Sequence, residues 1–138
     1  MGKHAIIVIR NEKNEYLQYY ENRWESNLFL NCKLGDENKE KFVKKEVCEK
    51  LNILENEIDC KYIKDIIHTK YSESAKKDKE YHHYFYKVDI KGIPEYMRKK
   101  EFVINNIKYS WYSIEELESD ERIQKVNSDI VGFIKDML

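Results

Sequence analysis

The sequence predicts an α/β/α sandwich over a mixed β-sheet. Three observations predict it. Strand-like runs lie on both sides of one central helical stretch, that stretch carries a single apolar stripe, and the chain closes on a second amphipathic helical pattern. At 138 residues and 41% hydrophobic, residues 1–138 read as one domain with enough apolar mass for a core.

Taken in order, residues 4–9 form a short apolar run bounded by charge and read as a buried strand. Residues 11–14 (NEKN) read as a turn, and residues 16–20 as the hairpin partner of the first strand. A loop at 22–27 holds Trp24, and residues 28–30 form a short strand. Beyond the central helix, residues 56–59 are a connection and residues 60–69 a long strand. Residues 72–79 (SESAKKDK) read as a polar loop of low β-propensity. Residues 81–90 (YHHYFYKVDI) are the clearest strand, aromatic and β-branched. Residues 91–100, with the single proline Pro94, read as an exposed basic excursion. Residues 102–104 and 107–112, joined by Asn105-Asn106, read as a hairpin. Ser113 and Glu116 form a capping box for a short helix. Residues 120–138 are a final amphipathic helix with Ile123, Val126, Ile130, Phe133, Ile134 and Met137 inward.

The central helix is expected over residues 39–52. Val43, Val47, Leu51 and Leu54 recur at helical spacing, and Phe42 widens the stripe. Asn38 or Asp36 caps its start, with Glu40 in the first turn. Asn52 ends it, because Asn tolerates the left-handed conformation that closes many helices.

Composition excludes several function classes. Net charge is −1, so no basic excess points to a polynucleotide partner. No apolar run approaches the length of a membrane span. The start, MGKHAIIVIRN, is too short and too soon charged to read as a signal peptide. The three cysteines, Cys32, Cys48 and Cys60, have no zinc spacing and fit a reduced, cytoplasmic setting. A homo-oligomer is compatible with the sequence.

Chemistry concentrates around the central helix. Glu46 and Glu49 lie i, i+3 and share a face, and Glu37 sits in the loop before the helix. Three carboxylates converging from a loop and one helix face are the ligand type for Mg²⁺ or Mn²⁺. The same spacing arises by chance on the solvated face of a charge-rich chain.

The spacing also matches a known signature. The Nudix box reads G-x5-E-x7-R-E-U-x-E-E-x-G-U, where U is a bulky aliphatic residue. Here it falls on Asn31, Glu37, Lys45-Glu46-Val47, Glu49-Lys50 and Asn52-Ile53. Glu37, Glu46, Val47, Glu49 and Ile53 match, whereas Asn31, Lys45, Lys50 and Asn52 depart. The stretch resembles a degenerate Nudix box. The run from Trp111 to Leu117 resembles the W-v-s-l-e-E-L element that many members carry. The opening hairpin and the strand at 81–90 also fall where the family has them, so the resemblance spans nearly the whole chain.

The resemblance implies a Nudix sandwich and a hydrolase that cleaves a pyrophosphate bond in a nucleoside di- or triphosphate or derivative. It implies Glu37, Glu46 and Glu49 as catalytic residues, with Glu46 and Glu49 as ligands of Mg²⁺ or Mn²⁺. Trp24 is the stacking candidate for a base, and Lys33 and Lys50 are candidate phosphate contacts. Asp78 and Glu80 are candidates for an extra ligand or base. His82 and His83 are neighbours on a strand and face opposite sides, so they cannot share one metal. Lys50 departs most heavily, since the family has a carboxylate there. Replacing −1 by +1 at ~5 Å from a divalent ion disfavours binding by on the order of 10 kcal/mol at an effective dielectric of 20, before the lysine swings into water. The alternative reading is a catalytically impaired Nudix-fold module that binds a nucleotide or a protein.

Overall fold

The computed structural model describes residues 2–72 and 75–137. The strands are β1 (Gly2–Ile9), β2 (Tyr16–Glu21), β3 (Ser26–Lys33), β4 (Ile58–Ser72), β5 (Lys77–Ile90), β6 (Glu101–Ile104) and β7 (Ile107–Tyr112). The helices are α1 (Lys39–Leu51), α2 (Ile114–Ser119) and α3 (Glu121–Met137). One seven-stranded sheet has the order β4-β5-β1-β3-β2-β7-β6. Among the described residues, β1 and β5 run parallel and the remaining strand pairs are antiparallel.

The central strand shows why the sheet carries a layer on each face. Residues Ala5 to Ile9 are all buried, as expected of a strand covered on both sides. Ala5, Ile7 and Ile9 join the core under α1, with Leu30, Val43, Val47, Leu51, Tyr86 and Trp111. Ile6 and Val8 join the opposite core, with Phe29, Phe85, Leu117, Ile123, Ile130 and Ile134. The result is the expected α/β/α sandwich over a mixed sheet.

Helix α1 follows its sequence signals closely. The Asn38 side chain accepts from Lys41 N–H at its start, and Asn52 closes it at φ 55°, ψ 46°. Leu54 departs from expectation: it is 66% exposed, and Ile53 is buried instead. The left-handed Asn52 takes the chain off the helix axis, so helical spacing no longer applies beyond it. Cys48 also joins the buried face.

The first hairpin is corrected. Residues 16–20 do not pair along β1, and a single bridge, Arg10 with Tyr16, links them there. Both edges of β1 are taken, by β3 and β5, so β2 pairs with β3 and β7. The turn itself forms: Asn11 Oδ1 accepts from Lys13 and Glu15 N–H, and Asn14 is left-handed at φ 58°. Half of the polar loop expected over residues 72–79 is absorbed by β4 and β5, and residues 73–74 lie outside the described part. The hairpin at Asn105-Asn106 forms with both residues at positive φ, as a type I′ turn requires. The capping box of Ser113 and Glu116 is present. Helix α3 is interrupted at Asn127 (φ −143°, ψ 17°), and Val131 joins its buried face, while Val126 is only half-buried.

The excursion at residues 91–100 is anchored rather than loose. Met97 is fully buried, and Trp111 Nε1–H donates to its carbonyl at 2.6 Å. Trp111→Phe strands that buried carbonyl without a donor. We expect a loss of about 2 kcal/mol, read as a lower urea midpoint with an unchanged slope.

Candidate functional site

The box residues come first. Glu37 lies exposed in the loop before α1, where its carboxylate accepts from Gly35 N–H at 3.3 Å. Glu46 is half-buried and Glu49 exposed. Lys45, at the position of the box arginine, lies 4.0 Å from Glu49 rather than clamping the loop. Lys50 is half-buried. Glu46, Lys50 and Glu37 all act on Cys32 of β3: burial pushes its thiol up to about 11, the two carboxylates add to the rise, and Lys50 opposes it. These three charges therefore gather near β3.

That gathering does not make a cation cage. Among the described residues, no three His, Cys, Asp or Glu side chains come together in a way that would hold a metal. One of the three retained carboxylates is engaged with a lysine and another with its own loop, while an ammonium stands where the family has a fourth donor. As arranged, these carboxylates form no ready site for Mg²⁺ or Mn²⁺ among the described residues. Asp78 and Glu80 are exposed on β5.

A second feature lies on the α3 side of the sheet. A cleft of about 280 Å³ is lined by Trp24, Leu28, Asn31, His4, Ile6, Lys70, Tyr71, Ser72, Tyr81, His83, Arg122, Lys125, Val126, Asn127 and Ile130. Three cations line it, and no carboxylate is among the described lining residues. Trp24, the stacking candidate, is on its wall and 43% exposed. Its loop is tied to α3, because Arg122 Nε donates to the Trp24 carbonyl at 2.8 Å. Lys70 spans the other wall, donating to Val126 O at 2.9 Å and Asp129 Oδ1 at 3.1 Å. Val126 lies next to Asn127, where the backbone leaves helical φ/ψ.

The remaining candidates lie elsewhere. Lys33 is exposed, pairs with His4 in the β1–β3 ladder, and helps burial hold the His4 pKa down, yet it does not line the cleft. Lys50 and the box carboxylates do not line it either. Trp111 and Phe85 are core residues. His82 and His83 do face opposite sides: His82 bonds Asp65, and His83 lines the cleft. Lys70, Arg122, Lys125, His4 and His68 carried no signal in the sequence. Recognising Lys70 and His68 requires the register of β4, which slips by one residue between Tyr62 and Lys64.

The Ap4A hydrolase of C. elegans superposes with a TM-score of 0.60 at 13% identity, covering 100% of this chain and 99% of that one. A NUDIX hydrolase from Nitrosomonas europaea gives 0.62 at 15% identity, covering 99% and 90%. The C-terminal domain of mouse MUTYH, in complex with human PCNA, gives 0.60 at 13% identity, covering 100% and 92%. The fold is the Nudix fold. No protein-family model matches the sequence, and no curated protein matches it. The Nudix likeness therefore concerns architecture, and the chemistry has to come from this chain's own residues.

Lys50→Glu restores a carboxylate at the position where the Nudix box has one. We expect it to tighten Mg²⁺ or Mn²⁺ binding at least tenfold in a calorimetric titration, a modest fraction of the unscreened Coulomb gain. Equal or weaker affinity in the variant places Lys50 outside any cation site.

Proposed function

We propose that this protein is a Nudix-fold module that binds a nucleotide-type anion and has lost most of the fold's pyrophosphohydrolase chemistry. One observation carries the reading: the cleft beneath α3 presents Lys70, Arg122 and Lys125 with no carboxylate among its described lining residues. Such a wall attracts phosphate oxygens, and the guanidinium of Arg122 suits bidentate contact. Trp24, Tyr71 and Tyr81 offer ring faces for a base, which prefers a flat, partly apolar surface. A volume of about 280 Å³ accommodates part of a nucleotide, with the rest in solvent. The mismatch between the α1 donors and a divalent cation supports impaired catalysis. A Nudix-fold domain solved in complex with a protein, as for MUTYH with PCNA, is consistent with binding as a role for the fold.

A second reading keeps the hydrolase. Glu37, Glu46 and Glu49 stand at the family spacing, and they are the residues we assign to slow, Mg²⁺- or Mn²⁺-dependent cleavage, with Glu46 and Glu49 as metal ligands and Lys33 and Lys50 beside the phosphates. The two readings separate experimentally. ADP-ribose and a panel of nucleoside di- and triphosphates are titrated calorimetrically in EDTA. We expect metal-free binding of at least one compound, weakened about tenfold by Lys125→Gln and by Arg122→Gln, as for loss of one charge-assisted contact. No binding in EDTA overturns the module reading. Mn²⁺-dependent turnover that disappears in Glu49→Gln, a shape-preserving change, establishes the hydrolase.

A further inference from the structure

Behind the cleft, charged and titratable groups from four elements meet. His4 comes from β1, His68 and Lys70 from β4, Tyr81 and His83 from β5, and Asp129 from α3. Phe133 of α3 packs its ring against His68, 5.3 Å between centroids, and closes the group. The half-buried His83 is the hub. His68 Nε2 lies 2.7 Å from His83 Nδ1, and the Tyr81 ring stacks on His83 at 4°. On the far side, Asp129 Oδ2 is buried without a hydrogen bond, 3.7 Å from His68 Nδ1. Its other oxygen holds Lys70.

This row restricts where protons sit. A 2.7 Å contact between two ring nitrogens holds one proton, not two and not none. The unpartnered carboxylate oxygen favours Nδ1–H on His68. His68 Nε2 is then the acceptor, His83 Nδ1–H the donor, and His83 Nε2 carries a lone pair. Nε2 has no protein partner among the described residues. Adding one proton changes one site alone: Nε2 becomes N–H, and the row carries a positive charge next to the cleft.

We propose that the Asp129–His68–His83 row couples anion binding in the cleft to the uptake of one proton, which turns His83 Nε2 from a hydrogen-bond acceptor into a donor and tightens binding as the pH falls. The proposal rests on the anion-cleft reading and adds the regulation of that site. In the free protein the His83 imidazole is neutral at pH 7. Burial, then His68 and His4, hold His83 down to about 4, Lys70 adds to the fall, and Asp129 opposes it. A bound anion offsets the positive field of Lys70, Arg122 and Lys125 and favours the imidazolium. The pKa of the row therefore rises on binding. Extra affinity is present below the bound-state value and is lost as the pH rises through it. Lys70 adds to the effect: drawn toward the anion, it leaves Asp129 facing the Nδ1–H of His68.

ADP-ribose is the probe, because its phosphates stay fully ionised across the range used. Calorimetry in two buffers of different ionisation enthalpy reads proton uptake directly. We expect up to one proton taken up and a dissociation constant that falls about tenfold from pH 8 to pH 6. His68→Gln should flatten that dependence. A constant affinity with no proton uptake overturns the coupling and leaves the anion cleft standing. An unchanged pH slope in His68→Gln also overturns it, by placing the proton elsewhere. Absence of binding at every pH overturns both. Should His68→Gln not fold, histidine nitrogen NMR on the unaltered protein decides: the His83 titration must move to higher pH with ADP-ribose bound, and a stationary titration overturns the proposal.

Discussion

Along β4 the ladder with β5 slips by one residue between Tyr62 and Lys64. Before the slip, Ile58 and Cys60 point to the α1 side, joined to that core. After it, Ile66 packs on the α3 side, and His68 and Lys70 follow at the same parity. A strand without the bulge keeps one parity throughout, which would turn His68 and Lys70 toward the α1 face. They would then face neither His83 nor Asp129. A single extra residue thus places a cation and an imidazole in the cleft wall, a recurrent use of bulges.

The same register explains which parts of the molecule were legible in the sequence. Helix α1 was readable because its stripe, its Asn38 cap and its Asn52 terminator are local signals that agree with one another. The Ser113 capping box and the Asn105-Asn106 turn are local too. Pairing was less legible. The first two strands look like a hairpin because only six residues fall between Ile9 and Tyr16 with the turn inside them, yet β1 is wanted on both edges by longer partners. Leu54 fits a helical period that Asn52 has already ended. Trp24 was found by its setting in a loop, whereas His4, His68, Lys70, Arg122 and Lys125 are spread over 122 positions and meet only through β4 register and the α3 break. The box carboxylates were legible as a pattern, but a pattern cannot say that Lys45 turns to Glu49.

The two faces of the sheet consequently differ in electrostatic character. On the α1 side the box helix alternates lysine and glutamate, and its charges offset one another locally. Such exposed pairs add little stability and leave little field for a dication. On the α3 side the positive groups gather without acids in the cleft lining, and the one nearby carboxylate, Asp129, is held back behind Lys70. A cation is therefore poorly served on the first face, and an anion well served on the second.

The break in α3 links cleft shape to its charge. At Asn127 the backbone leaves helical geometry, and the carbonyl of the residue before it, Val126, accepts from Lys70. The segment before the break carries Arg122 and Lys125, and Arg122 is fastened to the Trp24 loop. The segment after it carries Asp129, fastened to Lys70. The two cleft walls are thus held to a kinked helix by one cation each, both of which also face the cleft. An anion that recruits Lys70 and Arg122 must compete with those ties, so ligand binding and the seating of α3 on the sheet draw on the same hydrogen bonds. Imidazoles that can supply a replacement charge to Asp129 lower the cost of that exchange, which is why the histidine row and the helix break belong to one device.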